Sequence, residues 1–172
     1  YFEDMFIPKE NVLGNPSKGF KQFLKTLTGG RITIGALALG TAQGAYQRAL
    51  TYSRERKAFG KEINQFQGIS FKIADMATSI QASKHLVYHA AYKKDQGEEV
   101  IKEAAMAKLF SSETCMSVTT EAIQIFGGYG YIKEYDVERF FRDSKILEIG
   151  EGTSEVQRII ISRNILNNIN LL

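Results

Sequence analysis

Ile69-Ser-Phe-Lys-Ile73-Ala-Asp-Met76-Ala-Thr-Ser-Ile80-Gln-Ala-Ser83-Lys-His-Leu-Val87-Tyr-His-Ala90 sets apolar or small residues three and four positions apart without interruption. That is the spacing of one helix face, and the period-two alternation of a strand cannot produce it. The pattern stops at Asp95-Gln96-Gly97. It resumes with Ile101, Ala105, Leu109, Ser112, Met116, Ile123 and Phe126, until the glycines at 127 and 128. Two long amphipathic helices joined by so short a connection are expected to lie antiparallel.

Helical spacing extends on both sides of this pair. A first long helix is expected from Pro16 or Ser17 to Arg54, burying Ile34, Leu37, Ala42, Ala45, Ala49 and Leu50, with Gly29-Gly30 as the place for a kink. After Gly127-Gly-Tyr-Gly130, a shorter helix fits Val137 to Lys145. A last one, Ser154 to about Asn167, carries Val156, Ile159, Ile160 and Arg163. Both prolines, Pro8 and Pro16, stand in the first 16 residues with the apolar run Met5-Phe6-Ile7, which reads as a strand and loop. The fold class is therefore all-α: an antiparallel four-helix up-and-down bundle with extra short helices, preceded by a short N-terminal strand. The tail Asn167-Asn-Ile-Asn-Leu-Leu172 is expected to be loosely held.

Composition excludes several function classes. The 172 residues suit one domain with an appendage, and the net charge of +3 is spread without a basic block, so neither nucleic acid nor a membrane surface is indicated. No apolar stretch reaches the roughly 18–20 residues of a membrane-spanning helix, and no charged-then-apolar leader opens the chain. The single Cys115 excludes an internal disulfide and is assigned to core packing. His85 and His89 stand one turn apart, but no third ligand is spaced to join them, so no metal is expected. The chain starts on Tyr1-Phe2-Glu3-Asp4 rather than Met, in mid-pattern, and reads as a piece of something longer.

Four constellations carry chemistry. In Gly150-Glu-Gly-Thr-Ser-Glu-Val-Gln-Arg158 a carboxylate, Glu151, precedes a helix start. Ser154 and Gln157 have capping-box spacing, leaving the amides of Gly152 and Thr153 to face a ligand. A plainer role for Glu151 is to offset the positive end of the helix dipole. Arg54-Glu-Arg-Lys-Ala-Phe-Gly60 ends the first helix with cations, which suits a helix C-terminus, yet Phe59 beside Arg56 also suits a dinucleotide phosphate. Gln124-Ile-Phe-Gly-Gly-Tyr-Gly-Tyr131 has more glycines than a C-cap needs. A strained turn or a closely approaching flat ligand is implied, while Tyr129 and Tyr131 also fit ordinary packing. The run follows a helix, not a strand, and so is not a Rossmann loop. Arg31, after Thr28-Gly-Gly30, has no acidic residue in helical reach and needs a partner from another helix or from a ligand.

Taken together, Arg-x-x-Phe-Gly at 56–60, Gln-x-x-Gly-Gly at 124–128 and Glu-Gly-Thr-Ser-Glu at 151–155 resemble the C-terminal part of an acyl-CoA dehydrogenase. The resemblance extends to Phe2-Glu-Asp and to Ile7-Pro and Asn11-Val-Leu-Gly14, which are similar to the last strand of that family's middle β-domain and its exit. It implies a β-domain end and linker over 1–16 and a helical-bundle domain over 17–172. It also implies FAD as cofactor, an acyl-CoA substrate, a homotetramer or dimer of dimers, and an electron-transfer flavoprotein as electron acceptor. By resemblance Glu151 is the catalytic base, removing the α-proton while the β-hydrogen leaves as hydride to flavin N5. Arg56, Phe59 and Gln67 are similar to residues that reach FAD across a subunit interface. Gln124, Ile125, Phe126, Gly127 and Gly128 resemble the segment at its adenosine diphosphate portion, and Thr153, Ser154 and Glu155 the turn beside FAD. Thr28, Gly29, Gly30, Arg31 and Gly152 match substrate-contacting positions.

The Ile149-Gly150-Glu151 and Leu27-Thr-Gly-Gly-Arg31 versions look most like bacterial short- or medium-chain enzymes, so a bacterial cytoplasm is preferred to a mitochondrial matrix. Gly150 stands where many relatives carry Tyr, which alters the wall of the acyl pocket. Gly30 stands where isovaleryl- and long-chain-type relatives place their base, which leaves Glu151 as the candidate. An oxidase-like flavoenzyme, separated by oxygen reactivity of its reduced flavin, and a non-catalytic helical oligomerisation domain are the alternatives. A nitroalkane-oxidase-like member is expected to carry Asp at the base position, and Glu151 counts against it. By itself the piece is expected to be inactive, because the rest of the flavin and CoA site belongs to the other domains.

Overall fold

The computed structural model describes residues 1–167, and the expectation for the tail beyond Asn167 falls outside the described residues. Five helices dominate it: α1 (Gly19–Glu55), α2 (Gln67–Asp95), α3 (Ile101–Phe126), α4 (Val137–Ile149) and α5 (Ser154–Asn167). The expected all-α bundle is present. Helix α1 runs unbroken through Gly29-Gly30, and α4 reaches one turn beyond its expected end at Lys145.

Strand structure lies elsewhere than expected. Met5–Ile7 forms no strand, because no neighbouring strand among the described residues takes up its backbone groups. The only pairing among them is a small hairpin, β1 (Lys57–Ala58) against β2 (Lys61–Glu62), with Lys57 opposite Glu62 and Ala58 opposite Lys61. Its loop, Phe59-Gly60, has φ of 51° and 80°, the left-handed pair of a type I′ turn.

Helix α3 is the axis of the bundle. Ala104, Ala105, Ala107, Lys108, Ser111, Ser112, Thr114, Cys115, Val118, Thr119, Ala122, Ile125 and Phe126 are all buried, which is most of its circumference and not one stripe. Of the residues expected on that stripe, Ala105, Ser112 and Phe126 are buried and the others half-buried. Helix α1 approaches closely because its inner face is small: Gly35, Ala38, Ala42, Ala45 and Ala49. A Cβ on Gly35 would stand 3.3 Å from Val87 and 3.4 Å from the backbone of Ala107. Leu37, expected inside, is 55% exposed, because it sits off this small-residue face. Helix α2 buries Met76, Ile80, Ser83, Val87 and Ala90 as its spacing predicts, with Ile69 and Ile73 packed at the core's edge.

Cross-links fix the remaining helices. Thr119 and Ser144 hydroxyls lie 3.2 Å apart between α3 and α4, and Arg48 of α1 meets Asp136 at the start of α4 at 3.2 Å. Lys93 bonds both Glu98 and Glu103, tying the end of α2 to the start of α3. On α5 only Ser154 and Gln157 are buried, whereas Val156 and Ile159 are exposed. Val156 and Ile159 thus face away from the bundle, while Ile160, Ile161 and Ile165 are half-buried, so α5 has no single buried apolar stripe. Cys115 is fully buried, as expected. No described helix is long and apolar enough to cross a membrane.

Candidate active site

Glu151 occupies the four-residue link between α4 and α5, with φ of 56°. A non-glycine residue there costs roughly 1–2 kcal/mol, so the surrounding contacts must hold it. They do so from below. Lys108 of α3, with no exposed surface, donates to the carbonyls of Glu148 at 3.0 Å and Gly152 at 2.9 Å. Gln157 of α5, also fully buried, donates through Nε2 to the carbonyls of Glu151 at 3.2 Å and Gly152 at 2.7 Å. Gly152, at φ 97°, leaves no room for a side chain: a Cβ would stand 2.9 Å from Gln157 Nε2.

The expected capping box is not formed. Thr153 precedes the first residue of α5 and acts as the cap, its hydroxyl accepting from the Val156 N–H at 3.4 Å. Gln157 reaches back past it as a donor to the turn, and the buried Ser154 hydroxyl has no partner. The helix starts one residue earlier than the Ser154/Gln157 spacing requires, which moves Gln157 beyond the reciprocal position. The Glu155 carboxyl is held below its ordinary range by its own backbone N–H and by the Thr153 hydroxyl.

The Glu151 carboxylate points at α1. A Cβ on Gly30 would stand 2.6 Å from Glu151 Oε2 and 2.8 Å from its Cδ, so the absence of a side chain at 30 makes the space the carboxylate fills. Oε2 is buried and makes no hydrogen bond. Beside it, Arg31 is 6% exposed with its Nε unpartnered, and its pKa is lowered by burial against the opposing pull of Glu151. Arg31 Nε and Glu151 Oε2 are thus both buried and unpartnered, and the two side chains are near enough to influence each other electrostatically, a combination that marks candidate functional residues. Thr28 and Gly29 instead line a neighbouring cleft of about 790 Å³ with Lys21, Lys25, Lys94 and Val100.

The other sequence-predicted residues gather near the C-terminal end of α1. Arg56 and the segment Gln124–Gly128 line a groove of about 520 Å³ with Tyr52, Ile63, Tyr129 and Ile132. The Arg56 guanidinium lies 5.5 Å from the centre of the Tyr129 ring, and Tyr52 stacks on Phe126 at 4.0 Å. The glycines divide their tasks. Gly127 turns the chain at φ 62°, Gly128 borders open space, and Gly130 packs on the last turn of α3. Phe59 is 96% exposed on the hairpin tip, edge-on to Phe66, and Gln67 is the exposed first residue of α2. From Gly30 to Tyr52 along α1 is roughly 33 Å at 1.5 Å per residue, so the two sets of residues lie well apart within one chain.

The family model for the acyl-CoA dehydrogenase C-terminal domain matches residues 17–166. The chain belongs to the acyl-CoA dehydrogenase family. The probable acyl-CoA dehydrogenase YngJ of Bacillus subtilis (strain 168) is 56% identical over 164 residues, which are 95% of this chain and 43% of that protein. A subunit of the caffeyl-CoA reductase-Etf complex of Acetobacterium woodii, CarC, is 51% identical over the same coverage of each. Among solved structures, butyryl-CoA dehydrogenase from Megasphaera elsdenii superposes with a TM-score of 0.94 at 51% identity, covering 96% of this chain and 43% of that one. The chain therefore spans less than half the length of these relatives.

Lys108 and the backward reach of Gln157 escaped the reading of the residues. A signal for Lys108 was present: it falls three residues after Ala105 and four before Ser112, a lysine on a buried stripe.

Proposed function

We propose that the parent polypeptide is an FAD-dependent acyl-CoA dehydrogenase acting on a short- or medium-chain acyl-CoA, with Glu151 as the base. The observation that carries this reading is the buried, unbonded Oε2 of Glu151, set on a strained link against a bare stretch of α1. A carboxylate so placed has a free lone pair and no protein proton to share, which is what abstraction of a weakly acidic C–H requires. It takes the α-proton of the thioester, and the product is the trans-2-enoyl-CoA. FAD, when bound, accepts the β-hydrogen as hydride. The backbone N–H of Glu151 is the donor assigned to the thioester carbonyl oxygen, where charge develops as the proton leaves. Gly30, Arg31 and Gly152 border this spot, while Thr28 and Gly29 line the entrance beside it.

The chain's own residues fit a dinucleotide at the distal groove. Gly127 and Gly128 leave their backbone open to a close approach, and Arg56 presents a guanidinium already stacked on an aromatic ring. With Phe59, Gln67 and Gln124–Phe126 they are assigned to the flavin of a neighbouring subunit, and Thr153, Ser154 and Glu155 to the flavin that faces Glu151. The separation of the two sets along α1 supports this division. It also supports a homotetramer built through the helical domain, with residues 1–16 as the end of a β-domain and 17–172 as that helical domain. An electron-transfer flavoprotein is the proposed electron acceptor and the bacterial cytoplasm the proposed compartment. The piece alone, without the remainder of the flavin and CoA site, is inactive.

The test is anaerobic mixing of the full-length, FAD-loaded protein and its Glu151→Gln variant with butyryl- through octanoyl-CoA. Flavin bleaching in the wild type and its loss in the variant are expected, and equal bleaching in both removes Glu151 as the base. Rapid reoxidation of the reduced flavin by oxygen would move the assignment to an oxidase. Bleaching in neither would favour the non-catalytic assembly domain.

A further inference from the structure

Lys108 is a lysine in a place where packing alone would choose an apolar residue. It lies about two turns into α3, has no exposed surface, and is surrounded by Ala104, Ala105, Ala107, Ser111 and Ser112 on its own helix, all buried. Its two hydrogen bonds go to backbone carbonyls, not to a carboxylate: Glu148 O at 3.0 Å and Gly152 O at 2.9 Å. The Glu148 side chain is turned to Lys145 instead. Burial pushes the Lys108 amine below its ordinary value. Arg31 on α1 pushes the same way, and Glu113 on α3, Glu148 at the end of α4 and Glu151 pull against it. Burying an amine is costly unless its donors find acceptors, and here two of them meet backbone carbonyls of the link.

Those two carbonyls flank the base. Glu148 O belongs to the last turn of α4, whose carbonyls have no partner within the helix, and a cation there also meets the negative end of the helix dipole. Gly152 O follows the base directly. A single nitrogen bonded to both cannot let them separate, so the Glu151 backbone is held at its left-handed φ from both sides. Gln157 completes the hold through the carbonyls of Glu151 and Gly152. No atom of Lys108 reaches the surface that a substrate would meet.

Building on the proposed dehydrogenase reading, we infer that Lys108 is a positioning residue for the base, the clamp that fixes the Glu148–Gly152 link so that the Glu151 carboxylate and its own backbone N–H meet the thioester together. The two groups sit on one residue, so a loosened link displaces both at once. A displacement of 1 Å at a reacting group costs about 100-fold in rate. Ground-state binding, which draws on contacts spread over the acyl and CoA portions, changes far less.

The experiment compares full-length FAD-loaded wild type with Lys108→Met, which keeps the length of the side chain and removes its donors. Two quantities are read per bound flavin: the limiting rate of flavin bleaching by butyryl-CoA, and the wash-out of the α-proton of a non-oxidisable acyl-CoA thioether analogue in heavy water. Both are expected to fall about 100-fold while the Kd for butyryl-CoA stays within about threefold. Unchanged rates per bound flavin overturn the inference, even where the amount of holoenzyme falls, because that outcome assigns Lys108 to stability alone. An equal loss in rate and in binding overturns it as well. If Lys108→Met does not accumulate as holoenzyme, Lys108→Gln takes its place. Its shorter amide serves one carbonyl and not both, so a loss of about tenfold per bound flavin is expected and an unchanged rate is fatal to the inference. A wild type that no acyl-CoA bleaches refutes the dehydrogenase reading itself and is separable from any result on the variants.

Discussion

At Gly30 the requirements of the helix and of the site oppose each other. Glycine inside α1 costs about 1 kcal/mol relative to alanine, yet a Cβ there would stand 2.6 Å from Glu151 Oε2. Gly30→Ala is therefore expected to raise stability by up to about 1 kcal/mol, since the Glu151 side chain is free to swing away. In the full-length protein the same change should lower the bleaching rate roughly tenfold or more, because the carboxylate is displaced. Thermal unfolding and stopped-flow bleaching read the two effects separately, and a variant that is more stable and equally fast would deny that the carboxylate works from this position. Cys115 offers a second residue-scale test. Burial pushes its thiol up from 9.0 to about 12. A folded-state pKa above the unfolded one favours the neutral thiol in the fold, so that stabilisation is complete below pH 9 and is lost as the pH rises towards 12. The stability difference between wild type and Cys115→Ala, measured by urea unfolding, should shrink by about 2 kcal/mol between pH 8 and pH 10.5. A constant difference would mean that the buried thiol is not held neutral.

At the scale of elements, α2 was the most legible. Its stripe from Met76 to Ala90 is the buried face, because a helix with one partner surface shows one period. Helix α3 was legible as a helix but not as the axis, since a helix covered on most sides replaces the single stripe with small residues all round. The hairpin between α1 and α2 had no readable signal. Two paired residues per strand are too few to set an alternation, and Phe59 is an unusual occupant of a left-handed turn. The glycine run after α3 does more than cap the helix, and its three glycines serve different ends. Gly130 is the packed one: a Cβ would stand 2.7 Å from the Ile123 carbonyl and 2.8 Å from Phe126 Cβ. Gly130→Ala should cost about 1–3 kcal/mol by forcing this turn off α3. Urea unfolding checks the cost, and a neutral substitution would show that the turn yields freely.

For the whole molecule, the decisive feature is that the residues assigned to one activity stand far apart along α1, one set beside Gly30 and the other at its C-terminal end. If the Arg56 end serves a neighbour's flavin, a protomer with Glu151→Gln and one with Arg56→Ala and Phe59→Ala are each defective but complement each other. Co-expressed as mixed assemblies of the full-length chain, they should recover a substantial part of the bleaching that each lacks alone. Activity no greater than the sum of the two parents would place both sets on the same flavin, against the geometry. By itself the sequence determined the helical class, the helix order, the family and the candidate base, because these depend on periodicity and on short motifs that are local along the chain. Only the tertiary structure decided that Glu151 rests against Gly30 and that Lys108 and Gln157 grip its link. It alone showed that the two sets of candidate residues stand about 22 residues apart along α1. Those relations join positions between 5 and 121 residues apart, as Gly152 to Gln157 and Gly30 to Glu151 are, and most become neighbours only when the helices pack.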